Sequence, residues 1–202
     1  MLTRIDELHL SDHYHLDRDD ECYFIGEYTA GRGFSHSTTN QLIYNLKKSV
    51  DRRGAPEYWH KEEAIRRAAR ALGQFLNPEF VQRGTFVPVP PSRTPGDPLY
   101  DDRIIQVIRQ LDPNVDGREI IRQIVSTPGA HLRQDRPGPR ELYDNYEIEE
   151  ALVEPLPSTI AVVDDVLTTG AHFKAMKRIL QETFPGVKVS GLFLARRVPN
   201  TE

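Results

Sequence analysis

The stretch IAVVDDVLTTGAHF, residues 160 to 173, constrains this chain more than any other. Its first residues are apolar and β-branched, the composition of a strand buried on both faces. Asp164 and Asp165 fall where that strand is expected to end, and Thr168, Thr169, Gly170 and Ala171 then open a helix. Open parallel sheets bind ligands at the carboxyl ends of their strands, so position alone puts both acids at the expected site. A helix start offers unpaired N–H groups and partial positive charge, and a glycine lets backbone approach an anion closely. The pattern suits a phosphate at the turn and sugar hydroxyls at the carboxylates. Taken singly, Asp-Asp after a strand can also face water, and Thr-Thr-Gly can simply cap a helix.

The rest of the chain supplies a frame for such a strand. From about Thr85, short apolar runs alternate with helical patterns. Strands are expected at TFVPV (85–89), REIIRQIV (118–125), STIAVV (158–163) and VKVSGLFLA (187–195). Ile104, Val107, Ile108 and Leu111 mark one helix between them, and Phe173, Met176, Ile179, Leu180 and Phe184 another. Strands alternating with helices imply crossovers and a largely parallel sheet, an α/β fold. The N-terminal third reads differently. A polar, His- and Asp-rich stretch precedes CYFIGEYT, a candidate strand. Two helical patterns then follow, at 37–50 with Ser37 or Thr38 as cap and at 60–76, the second ended by Asn77-Pro78. Between two of the expected strands lies STPGAHLRQDRPGPRELYDNYE, too rich in Pro, Gly and charge for a core; so long a connection is usually functional.

The string VVDDVLTTGA resembles the signature with which type I phosphoribosyltransferases bind phosphoribosyl pyrophosphate (PRPP). The resemblance implies a type I phosphoribosyltransferase-like fold: a largely parallel twisted sheet flanked by helices, with an N-terminal helical hood. It divides the chain into a hood over 1–80, packed on a PRPP-binding core over 81–202. Carried over, Asp164 and Asp165 bind the ribose 2′- and 3′-hydroxyls, and Leu167, Thr168, Thr169, Gly170, Ala171 and His172 wrap the 5′-phosphate. The family usually has Thr where His172 stands. VPVPPSR (87–93) resembles the family's pyrophosphate loop, giving Pro91, Ser92 and Arg93 to the diphosphate. By itself that string is equally a proline-rich turn. The long loop from Ser126 to about Tyr146 lies where the family keeps its mobile catalytic loop. Arg133, Arg136 and Arg140, with Gln134 beside them, are its candidates to close over pyrophosphate. The order Gly-Glu-Tyr, QLIYNLKKS, AIRRAARALGQFL, VPVPPSR is similar to the ComF-type branch, without that branch's N-terminal zinc module, since one cysteine cannot supply a Cys₄ set.

These resemblances imply transfer of a 5-phosphoribosyl group from Mg-PRPP to a nitrogenous acceptor, with release of pyrophosphate. Asp164, Asp165, Arg133 and Arg136 are the expected catalytic groups. Mg²⁺ is carried by the ligand's own oxygens, with no protein metal site implied. Two other readings stay open: a non-catalytic PRPP or nucleotide sensor, and a ComF-like accessory to DNA. Lys and Arg number 26 against 30 Asp and Glu, a net charge of −4, so no global basic excess supports nucleic-acid binding. His9, His13 and His15, with Asp12 and Cys22, include metal-ligand types but no recognised spacing. Tyr58 and Trp59 beside Arg52 and Arg53 are expected to anchor a loop rather than stack bases. Neither a secretory leader nor a long apolar run stands out, no membrane partner is expected, and a lone cysteine fits a reducing, cytoplasmic setting. Many relatives are dimers, so a homodimer is compatible with the resemblance.

Overall fold

The computed structural model describes residues 1–127 and 137–200. Six strands form one mixed sheet in the order β1-β2-β8-β7-β3-β4: β1 (Thr3–Arg4), β2 (Cys22–Thr29), β3 (Thr85–Pro88), β4 (Asp116–Gly117), β7 (Thr159–Leu167) and β8 (Lys188–Val198). All neighbours pair parallel except β1, which runs antiparallel to β2 at one edge. Strands β5 (Ile121–Gln123) and β6 (Tyr146–Ile148) make a separate antiparallel pair. Among the described residues no helix is long and apolar enough to cross a membrane.

Both faces of the sheet are covered, as a parallel sheet requires. On one face, Ile160 and Val162 of β7 pack with Phe173, Met176 and Leu180 of α6 (Ala171–Thr183) and with Leu142 of α5 (Pro139–Asp144). On the other, Ala161 and Val163 meet α1 (Thr38–Leu46), α2 (Trp59–Gly73) and α4 (Arg103–Arg109) through Ile43, Leu46, Leu72, Ile105 and Ile108. From Ile160 to Val163 the period of two therefore assigns even and odd residues of β7 to different layers.

Three expectations change. The stretch 118–125 does not add a strand to the main sheet: only Asp116 and Gly117 pair with β3, and 121–123 turn away to pair with β6. Arg118 fixes that departure, gripping Asp116 with Nε and Nη2 (2.6 and 2.7 Å) while Nη1 donates to the Pro155 carbonyl at 2.7 Å. Second, β7 runs on to Leu167, so the acids lie within the strand. Their β8 side stays paired to Arg196, whereas pairing with β3 stops at Val163. Third, α2 ends at Gly73, short of Asn77-Pro78; the N-terminal third also contributes to the sheet, with β2 paired along β8 from Cys22 to Thr29. Two short helices were not foreseen, α5 and α3 (Pro78–Arg83). In α3 the Asn77 side chain accepts the Glu79 N–H at 2.8 Å and Pro78 starts the first turn, so the pair expected to end the second helix instead begins the next one.

Helix α1 is seated at the carboxyl end of β2. Ser37 caps it by accepting the Asn40 N–H (3.0 Å). The buried Asn40 side chain accepts the Thr29 N–H (3.1 Å) and donates to the Thr29 carbonyl (3.0 Å), closing the strand's end. Thr39 lies over Gly26, where an added Cβ would meet its Oγ1 at 2.7 Å. Gly26→Val is therefore expected to push α1 off the sheet and cost about 1–3 kcal/mol, the usual range for overpacking; urea denaturation measures it.

Candidate active site

Strands β3 and β7 are neighbours, but their connections diverge. From β3 the chain crosses through α4 on one face to β4; from β7 it crosses through α6 on the other face to β8. A crevice opens at the carboxyl ends of two such strands, the topological switch point of an open sheet. Val89 N–H donates to the Val163 carbonyl at 2.8 Å, one step beyond the last β3–β7 pair, so residues 90–93 leave the sheet beside Asp164 and Asp165. The base of the 124–145 connection joins them: Thr127 N–H donates to the Ser92 carbonyl at 2.7 Å, and Thr94 N–H to Ser126 Oγ at 3.0 Å. Pro91, Ser92 and Arg93 are half-buried there, with Arg93 Nη1 3.7 Å from Asp97. Three segments distant in sequence thus meet at one place.

Within it the two acids differ sharply. Asp165, on the layer of α1 and α4, is 3% exposed. Lys47, just past α1, sets its Nζ 2.9 Å from Asp165 Oδ1, and Arg103 donates Nε and Nη2 to Oδ2 at 3.1 and 2.7 Å. Burial opposes ionisation of Asp165, but Lys47 and Arg103 outweigh it and hold the carboxyl well below the usual range. Asp164 faces the opposite layer and is half-buried. Its Oδ1 accepts the Asp165 N–H at 2.7 Å, and among the described residues no side chain hydrogen-bonds it. Burial and the neighbouring Asp165 charge push Asp164 up. The buried Tyr146 phenol is raised too, by burial and then by Asp164. One acid is committed to internal cations and the other is open to a ligand.

The turn after β7 is built differently from a plain anion cradle. Gly170 has φ 88°, in the left-handed region that favours glycine, and a Cβ there would meet Leu16 at 2.7 Å. The close approach that the sequence suggests for an anion is taken on that side by Leu16. His13 Nδ1–H donates to the Thr168 carbonyl, and His15 N–H to the Thr169 carbonyl at 3.0 Å. Burial lowers the His13 pKa despite that bond, and its buried Nε2 has no partner among the described residues. Thr169 Oγ1 accepts the Ala171 N–H at 3.4 Å, while the Leu167 and Ala171 side chains are core. His172 Nδ1 lies 2.6 Å from the Tyr146 hydroxyl, joining the first turn of α6 to the strand that follows the long connection.

Arg140 is exposed on α5, which is anchored to α6 by Tyr143: its hydroxyl donates to Glu182 at 2.7 Å and Arg178 lies over its ring at 4.1 Å. Arg133, Gln134 and Arg136 fall outside the described residues. Among the described residues no three His, Cys, Asp or Glu side chains gather as a metal site; Cys22 is fully buried, and burial pushes its thiol up. Trp59 is 56% exposed and stacked on His60, while Tyr58 is the buried partner of that loop. Reading the sequence missed Lys47 and Arg103. The signal was present in the strand's period of two: adjacent acids on a doubly covered strand must face different layers, and the inner one needs cations. Comparison with protein-family models and with curated proteins gives no match for this chain.

The acid pair predicts opposite effects on stability. Asp165→Ala leaves Lys47 and Arg103 without their buried carboxylate and is expected to cost about 3–5 kcal/mol. Asp165, depressed in the folded state, stabilises above its unfolded pKa, and this is lost as pH falls through the folded value. Asp164, raised, has the reverse sign: its ionisation penalises folding at neutral pH, and the penalty fades as pH falls toward the unfolded value. Asp164→Asn is therefore expected to stabilise at neutral pH, with the gain vanishing in acid; urea midpoints across pH check both.

Proposed function

We propose that this chain is a phosphoribosyltransferase-like protein of the type I fold, binding Mg-PRPP and passing its 5-phosphoribosyl group to a nitrogenous acceptor. The observation that carries the reading is the meeting of the VVDDVLTTGA and VPVPPSR segments at the switch point between β3 and β7, with the base of the long connection hydrogen-bonded to Ser92. In this reading Asp164 accepts from the ribose hydroxyls and Asp165 supports it from inside. Backbone from Leu167 to His172 receives the 5′-phosphate, with Thr168 and Thr169 at the turn and Gly170 and Ala171 opening α6. Pro91, Ser92 and Arg93 face the pyrophosphate, Arg93 adding a guanidinium fork. The family resemblance would give Arg133 and Arg136, which lie outside the described residues, a role at the pyrophosphate.

The bond between ribose C1 and the pyrophosphate oxygen breaks, its electron pair leaving with pyrophosphate. The acceptor nitrogen bonds to C1 and gives up a proton to solvent. The transition state has oxocarbenium character, and the negative potential of the acid pair favours it. Mg²⁺, held by the ligand's oxygens and waters, supplies charge neutralisation on the pyrophosphate. A sensing role without chemistry is favoured by one feature: the Tyr146–His172 hydrogen bond ties the strand after the long connection to the phosphate turn, a direct route for reporting occupancy.

Calorimetric titration of Mg-PRPP into the wild type and Asp164→Asn tests the reading. Binding is expected, weakened at least about tenfold in the variant, since a hydrogen bond to a charged group is worth ~1.5–3 kcal/mol. A folded wild type that takes up no PRPP would sink it. Pyrophosphate release across a panel of acceptor bases separates transferase from sensor. Salt-sensitive retention of single-stranded DNA in place of PRPP would point to the DNA-accessory reading.

A further inference from the structure

Lys61 is 2% exposed, on the first turn of α2, and belongs to none of the segments that meet at the crevice. Its Nζ donates to the Leu46 carbonyl at 2.9 Å, the Lys48 carbonyl at 2.7 Å and Asp101 Oδ2 at 2.7 Å. An ammonium has three N–H bonds, so the set is complete. The two carbonyls flank Lys47, whose own Nζ pairs with Asp165. Asp101 Oδ2 also accepts from Arg103 Nη1 at 2.8 Å, and Arg103 uses its remaining donors Nε and Nη2 on Asp165. Each cation on Asp165 is thus seated by the same buried nitrogen, one through backbone and one through a carboxylate.

A lysine that only closed the end of α1 would need the carbonyls alone, and a solvated lysine could do that without the cost of burial. Burial pulls the Lys61 pKa down, opposed by Asp101, the same carboxylate that also orients Arg103. We infer that Lys61 is the positioning residue of the acid pair: it holds Lys47 and Arg103 on Asp165 and so leaves Asp164 as the carboxylate offered to a ligand. The inference deepens the proposed function and rests on it only in naming the ligand.

The test is carboxylate NMR titration of the full chain, following Asp164 and Asp165 as a coupled pair in wild type, Lys61→Met and Asp101→Asn. The other groups at the pair are Lys47 beyond α1 and Arg103 of α4 on Asp165 and Tyr146 of β6 near Asp164, with Asp101 bonded to Arg103 and His172 of α6 to Tyr146 behind them. Loss of the Lys61 ammonium is expected to raise the lower midpoint by about one pH unit or more, and Asp101→Asn to raise it less. Thermal unfolding confirms that each variant is folded; a plain helix cap would lower the melting temperature and leave the carboxylates alone. An unchanged lower midpoint in folded Lys61→Met overturns the inference, and if that variant does not fold, an unchanged midpoint in Asp101→Asn does so. Mg-PRPP calorimetry on the same wild-type sample separates the two ideas. Lys61-dependent midpoints without PRPP binding leave the positioning role and sink the ribose reading; binding with Lys61-independent midpoints does the opposite.

Discussion

Strand β7 lies inside the sheet with β3 on one side and β8 on the other, and both of its faces are covered. That constraint propagates outward. Because successive side chains must alternate between two apolar layers, two carboxyl groups in a row cannot share an environment. One is driven into the layer of α1 and α4, where an uncompensated charge would be prohibitive, and the other goes to the layer of α6 and β6. Pairing with β3 ends at Pro88 opposite Val163, so the two acids have no partner strand on that side. The asymmetry of the pair is thus a property of the strand before it is a property of any ligand.

Compensation of the inner acid explains features that otherwise look unrelated. Asn40 pins α1 to the end of β2, Lys61 is buried rather than solvated, and Asp101 precedes α4 where it can hold Arg103. Buried ion pairs of this kind add little net stability, since desolvation cancels much of the attraction, yet they are costly to break singly. Their effect is better described as geometric: they fix the angle at which the helices of one layer meet the carboxyl end of the sheet.

Much of this was legible in the sequence, and the failures have physical reasons. The helices around Ile43, Leu72 and Met176 and the strands at 22–29, 85–89 and 188–198 follow from period and capping, because their burial patterns are regular. The segment 118–125 misled because its apolar content is that of a strand, while its placement is set by the fork of Arg118 on Asp116, a contact that no period encodes. The acids stood out because they sit in a compact string. Lys47, Lys61 and Arg103 did not, since each lies in a different helix or just beyond one and has meaning only after those helices are docked. Gly170 was found for one reason and is required for another: a left-handed turn with Leu16 against it.

The pairing of β2 with β8 has a consequence for how the chain reaches this state. Cys22 stands opposite Gly191, and His15 bonds the carbonyl of Thr169, so residues made early wait for residues made late. During synthesis β2 emerges with only the two-residue β1 to pair with until β8 follows. Such distant closures slow folding and leave apolar strands uncovered in the interval. Phe24 and the buried face of β2 are among the apolar surfaces left open for that interval.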